Sequence, residues 1–289
     1  MSHTFEQFVR FTTDAAGLER TFRLFQALSQ ILSSYTIPFN ILLILLSHLP
    51  TSASPKGGAN PATTHAVLLG LKSQLALARR YFRLFRFLES FNAAQKVYSS
   101  LSQSKDGKKE KGQVKGEREN LALWLDVFGR TFNGMYLLLE ASTIVDVQGI
   151  PGFVLLGPEL ERAVAVEGQR FWLFSLVCGV LAGLVRISDA MALASEPVAA
   201  KGGDEKKAGE GEKKAKTTPP KQVEQARAKI PALARRVVSD ALDITLPGSV
   251  VGWVPAGSGT VGSAMLVTTV LTSMDIWERC GREVAGAKK

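Results

Sequence analysis

Residues 75–91 read LALARRYFRLFRFLESF, and the last thirteen positions hold four arginines and seven aromatic or leucine side chains. At about 100° per residue, Lys72, Arg79, Arg83, Arg86 and Ser90 fall on one narrow stripe, flanked by Arg80. Leu71, Ala78, Tyr81, Phe82, Leu84, Phe85 and Leu88 cover the opposite side. Apolar and basic residues do not alternate by two, so strand periodicity fits far worse. The stretch predicts a strongly amphipathic helix over 66–91. Such a helix either lines a core with its apolar face or lies in a bilayer interface, with arginines at lipid phosphates and aromatics in the acyl boundary. Periodicity alone serves both.

Outward from it, nearly everything reads as helix. Leu18, Phe22, Phe25, Leu28, Leu32 and Tyr35 recur at steps of three and four, with Asp14 placed as an N-cap and Glu19, Arg23, Gln26 and Gln30 on the opposite face. Pro38 interrupts the path before the apolar run 37–49. Thirteen residues fall short of the ~20 that a membrane-spanning helix needs, so this run is expected to be buried or re-entrant. The chain is therefore all-α: a membrane-associated helical protein with amphipathic N-terminal helices and apolar C-terminal segments.

The apolar segments lie in the second half. Fifteen uncharged residues, FWLFSLVCGVLAGLV, separate Arg170 from Arg186 and contain Gly179 and Gly183, a spacing that lets helices approach closely. Residues 244–274 carry no charge over 31 positions. Pro247, Pro255 and the glycines at 257–259 break that run, predicting a broken hydrophobic segment that ends in a helix near 259–279. Trp253 and Trp277 bracket it as interfacial tryptophans would.

Two lysine-rich stretches divide the chain. Residues 102–120 hold six Lys or Arg, and residues 201–229 hold nine against five acids. Neither can bury a core, so both are expected to be disordered loops. The regions are then 1–101, amphipathic and helical; 102–120, loop; 121–200, apolar and helical; 201–229, loop; and 230–289, hydrophobic and helical. The net charge of +9 over 289 residues implies a polyanionic partner, an anionic phospholipid membrane or nucleic acid. No aromatic residue is interleaved in the lysine-rich stretches to stack on bases, so nucleic acid is not expected. Two cysteines suit reduced thiols rather than a disulfide framework. The start, MSHTFEQFVRF, has no apolar core of a secretory signal, so internal segments are expected to carry the chain to a membrane.

No catalytic constellation is apparent. His3, His48 and His65 lie apart, with no Cys or carboxylate at metal-ligand spacing. Asp240 and Asp243 could pair as general acid and base on a helix, but a solvated helix face is the expectation. Neither an enzyme nor a cofactor is expected.

In order, these pieces resemble the peroxin-11 family of peroxisomal membrane proteins. TTDAAGLERTFRLFQALSQIL (12–32) is similar to its N-terminal amphipathic block, and LARRYFRLFRFLESF (77–91) to its second, basic block. LDVFGRTFNGMYLLLEASTIVDVQGI (125–150) resembles the central Leu- and Tyr-rich segment. DALDITLPGSVVGWVPAGSGTVGSAMLVTTVLTSMDIWERCG (240–281) resembles the C-terminal block. The chain departs at Leu18-Glu19-Arg20, where the family more often has a basic residue after the Gly, and in its long polar loops.

The resemblance implies a peroxisomal membrane protein that promotes proliferation by elongating the membrane before fission. It also implies association with itself or a paralogue, and recruitment of the fission machinery, a dynamin-related GTPase and its adaptor. Membrane-contact residues are then Lys72, Arg79, Arg80, Tyr81, Phe82, Arg83, Phe85, Arg86 and Leu88, with Gly179 and Gly183 packing helices. By the positive-inside tendency both lysine-rich loops face the cytosol, with zero or two crossings between them and segments 131–147 and 171–185 as candidates. An oligomeric pore for small metabolites is the alternative, and a soluble basic bundle binding RNA a third reading.

Overall fold

The structure is a computed structural model. It describes residues 2–48, 60–106, 117–195 and 220–286. Every regular element among them is helical: α1 (His3–Thr13), α2 (Ala15–Ser34), α3 (Thr36–His48), α4 (Pro61–Phe82), α5 (Arg86–Asp106), α6 (Glu117–Ser142), α7 (Ile144–Val147), α8 (Pro158–Ser195), α9 (Pro220–Asp243), α10 (Thr245–Val251) and α11 (Ser258–Gly286). Helix also takes the edges of both lysine-rich stretches, at 102–106, 117–120 and 220–229. The rest of those two loop expectations, 107–116 and 201–219, lies outside the described residues.

Local sequence sets the boundaries. The Asp14 carboxylate caps α2 by accepting the Gly17 N–H at 3.1 Å. A side chain at Gly17 would strike the Phe11 carbonyl, so this glycine permits the tight corner between α1 and α2. Beyond Tyr35 the path bends by 102° into α3, where Pro38 sits in the first turn. Gly252 ends α10 with φ +84°, the left-handed cap that glycine adopts without strain.

Most long helices run alternately up and down. Down α2 and up α11, Gln30 donates to the Ser258 carbonyl, Arg23 to the Thr268 hydroxyl and Arg279 to the Asp14 carboxylate. Helices α6 and α8 are antiparallel, with Asp126 beside Arg186 and Tyr136 stacked on Trp172 at 5.3 Å. Helices α8 and α9 follow the same rule, Arg227 reaching the Ala194 carbonyl and Val237 meeting Gly183. Asn133 beside Ser90 and Trp124 beside Tyr98 set α5 antiparallel to α6. These rungs place Asp14, Asp106, Glu117, Ser195, Pro220 and Gly286 at one end of the bundle. The α2–α3 bend, the start of α4, residues 143–157 and the turn 252–257 lie at the other.

Beside an apolar core that includes Leu68, Tyr136, Leu173 and Met265, the bundle buries charged and polar side chains and leaves many large apolar ones outside. Glu19, Arg23, Gln30, Arg79, Asp243 and Thr268 are buried, whereas Phe25, Ile41, Leu45, Val67, Leu184 and Val270 are exposed. Helix α2 buries its Glu19–Arg23–Gln30 stripe and turns Phe25 and Leu28 outward. Isolated exposed apolar side chains are ordinary, but whole apolar faces around charged contacts mark a surface made for a non-aqueous surrounding. Two helices, α8 and α11, are long and apolar enough to cross a membrane, and the bent α2–α3 pair qualifies as a broken span or re-entrant loop. At 1.5 Å per residue α11 reaches about 43 Å, more than a bilayer's ~30 Å hydrocarbon core.

Candidate membrane-contact site

The single helix expected over 66–91 is two helices. After Phe82 the backbone tightens: Arg83 N–H bonds to the Arg80 carbonyl, Leu84 to Tyr81 and Arg86 to Arg83, before α5 resumes at Arg86. These are three-residue steps, a brief 3₁₀-like turn. No proline or glycine marks it, so sequence carried no sign of it.

The basic stripe turns inward, contrary to the expectation of Arg79 and Arg83 at lipid phosphates. Arg79 is buried, donating to Glu19 Oε1 and to Gln26 Oε1, each at 2.8 Å. Arg83 donates to Glu140 Oε1 at 2.8 Å and lies 5.9 Å from the Tyr136 ring centroid. Arg80 stands 3.9 Å from the same carboxylate. Protein carboxylates take the place proposed for phosphates, because in an apolar surrounding a guanidinium is better matched by an internal anion than left unpaired. Arg86 is half exposed and pairs with Glu89 at 3.7 Å. Lys72 makes no ion pair among the described residues.

The apolar side faces outward. Phe85 is 71% exposed, Leu88 58% and Tyr81 47%, while Phe82 stacks on Phe22 at 5.5 Å and stays partly exposed. Helix α3 buries none of its residues, and Ile37 is 76% exposed. Helix α1 presents Phe5, Phe8 and Val9. That amphipathic face was not assigned from sequence, though Phe5, Phe8 and Val9 already carry the three- and four-residue spacing.

A second charged centre corrects the solvated reading of Asp243. This carboxylate is buried, paired with Arg23 and accepting the Thr268 hydroxyl at 2.6 Å. It joins α2, α9 and α11. Asp240 faces α8 instead, where a Cβ added at Gly179 would come within 2.8 Å of its Oδ2. A side chain at Gly183 would collide with Val237. The two glycines thus form the groove in which α9 lies.

Segment 171–185 belongs to the long α8, whereas 131–147 is interrupted where α6 ends at Ser142. Trp253 is exposed beyond α10, and Trp277 packs edge-on against Phe11 at 5.8 Å. At the same end as the α2–α3 bend, Asp146 accepts the N–H groups of Leu155 at 2.8 Å and of Leu156 at 3.0 Å. Burial opposes its charge, but the N–H bonds from Leu156, Leu155 and Gly157 outweigh it and hold the carboxyl below its ordinary range. Among the described residues no group of three His, Cys, Asp or Glu could hold a metal.

A family model described as Peroxisomal biogenesis factor 11 matches residues 47–277, most of the chain. No curated protein and no solved structure matches it.

Proposed function

Because the chain belongs to the Peroxisomal biogenesis factor 11 family, a role in peroxisome biogenesis at the peroxisomal membrane follows, and we propose that it acts there by inserting its outward apolar faces and elongating the membrane ahead of fission. The observation that carries this reading is the combination of buried charge pairs with outward apolar faces, the Arg79–Glu19 and Arg23–Asp243 pairs lying inside and Phe85, Leu88 and Ile37 outside. Burying such faces in lipid stabilises by about 25 cal/mol per Å² removed from water, without breaking any internal ion pair. An inserted apolar face expands the leaflet that it enters, which favours curvature and a tubule.

Attraction to anionic lipid then falls to the net positive charge of the lysine-rich stretches, at ~1 kcal/mol per basic residue near the surface. The end of the bundle that holds Asp106, Glu117, Ser195 and Pro220 is assigned to the cytosol, together with Asp14 and Gly286. Self-association, and recruitment of a dynamin-related GTPase with its adaptor, complete the proposed route.

The test is carbonate extraction of purified organelles, followed by rescue of cells lacking the protein. The chain should stay in the membrane pellet, and Phe85→Asp with Leu88→Asp should fail to elongate peroxisomes while remaining folded. Release by high salt without detergent would favour the soluble RNA-binding reading instead.

A further inference from the structure

A cavity of about 430 Å³ opens where α2, α4, α6, α8, α10 and α11 meet, in the half of the bundle away from the lysine-rich stretches. Four basic side chains line it: Lys72, Arg79, Arg80 and Arg83. Among the described lining residues, Glu140 is the one carboxylate. Glu19 offsets Arg79 from outside the wall, and Glu140 is shared between Arg80 and Arg83. Positive charge therefore remains in excess.

Arg80 Nη1 and Arg83 Nε are buried with no acceptor among the described residues, as are Arg23 Nε, Arg170 Nε and Arg235 Nε elsewhere, so these atoms mark tight packing of the arginines while the excess charge of the lining points to a ligand. The lining from α10 and α11 is of different character: it includes Leu246, Val250 and Val261 beside Ser249 and Ser258, and Val250 is 57% exposed. A lining that is cationic on α4 and partly apolar on α10 and α11 fits a ligand with an anionic head and a hydrocarbon body.

We propose that this cavity binds the phosphate of an anionic phospholipid drawn from the leaflet at the bundle end opposite the lysine-rich stretches. The arginines supply planar donors matched to phosphate oxygens, Lys72 adds charge, and the acyl chains leave over Leu246 and Val250. This rests on placement of the bundle in a membrane but not on membrane elongation, which a binding measurement does not read.

The test uses the full chain in uncharged detergent, titrated with short-chain phosphatidic acid, short-chain phosphatidylcholine and glycerol 3-phosphate, with occupancy read by native mass spectrometry. Phosphatidic acid should bind at least about tenfold more tightly than either of the others, the effect expected of one charge-assisted hydrogen bond. Arg80→Gln and Lys72→Gln should each weaken it about tenfold, whereas Arg10→Gln, at the other end of the bundle, should leave it unchanged. Lys72 supports no internal pair, so its variant reports on the ligand even where Arg80→Gln disturbs folding. Equal affinity for the two lipids, or wild-type affinity in the Lys72 variant, overturns the site. Glycerol 3-phosphate binding as tightly as phosphatidic acid overturns the lipid and leaves a site for soluble phosphate esters.

Discussion

Removing the Asp243 carboxylate leaves Arg23 buried without its counter-charge. Asp243→Leu should therefore cost about 3–5 kcal/mol, and the double variant Arg23→Met with Asp243→Leu should recover most of it. Thermal unfolding in detergent measures both, and failure of the double variant to recover would mean that packing, not charge, holds this contact. Asp146 gives a pH-dependent counterpart. Its folded pKa is depressed, so its contribution is present above the unfolded value near 3.9 and is lost as pH falls through the folded value. Hydrogen exchange at the Leu155, Leu156 and Gly157 amides should be slow at pH 7 and speed up, relative to intrinsic rates, in strong acid. Asp146→Ala should remove the protection at neutral pH. Little of this was readable residue by residue. Asp14 as a cap followed from chemistry, because a carboxylate before a periodic apolar run satisfies free helix N–H groups. The partner of Arg23 lies 220 positions away, and no local pattern encodes it.

Helices were legible and their orientation was not. The three-and-four spacing in 14–35 and 66–91 fixes that each segment has two faces, but not which one the core takes. In water the apolar face turns in; here Glu19, Arg23 and Arg79 turn in, with Leu68 and Leu75 beside Arg79, so periodicity alone did not say which residues the core takes. The break at 83–85 was hidden because tertiary pairing of Arg83 with Glu140, not a breaker residue, accompanies the turn. The Gly179 and Gly183 spacing, by contrast, is a statement about close approach in either solvent. Gly183→Val should force α9 away from α8 and destabilise by about 1–3 kcal/mol, as overpacking does. A cysteine cross-link between the two helices, formed in the parent and lost in the variant, would show the displacement directly. Retention of both cross-link and stability would mean that α9 does not use the groove.

Across the whole molecule, alternation of the helices brings Asp106, Glu117, Ser195 and Pro220, the described residues that flank the two lysine-rich gaps, to the end that holds Asp14 and Gly286. Protease added to intact organelles should cut both stretches and remove tags from both chain termini; protection of any of the four would break the one-sided assignment. Sequence supported the shared side through lysine content alone, whereas the antiparallel rungs of α6 on α8 and α8 on α9 supply a geometric reason. The same alternation bears on how the chain enters a bilayer. From α2 through α11, only the connections at the far end and the helix ends beside them need be carried through the hydrocarbon. Residues 49–59 hold one basic residue, Lys56; residues 143–157 hold only Asp146; and 252–257 hold no charge. The first turns of α8 add Glu159, Glu161 and Arg162. Acidic residues weigh little in topology, so the retarding charge in these segments falls mainly on Lys56 and Arg162. Hairpins that insert tip first would therefore carry little basic charge across the hydrocarbon. Three or four lysines placed in 143–157 should stall the α6–α8 hairpin on the near side and leave the finished chain extractable.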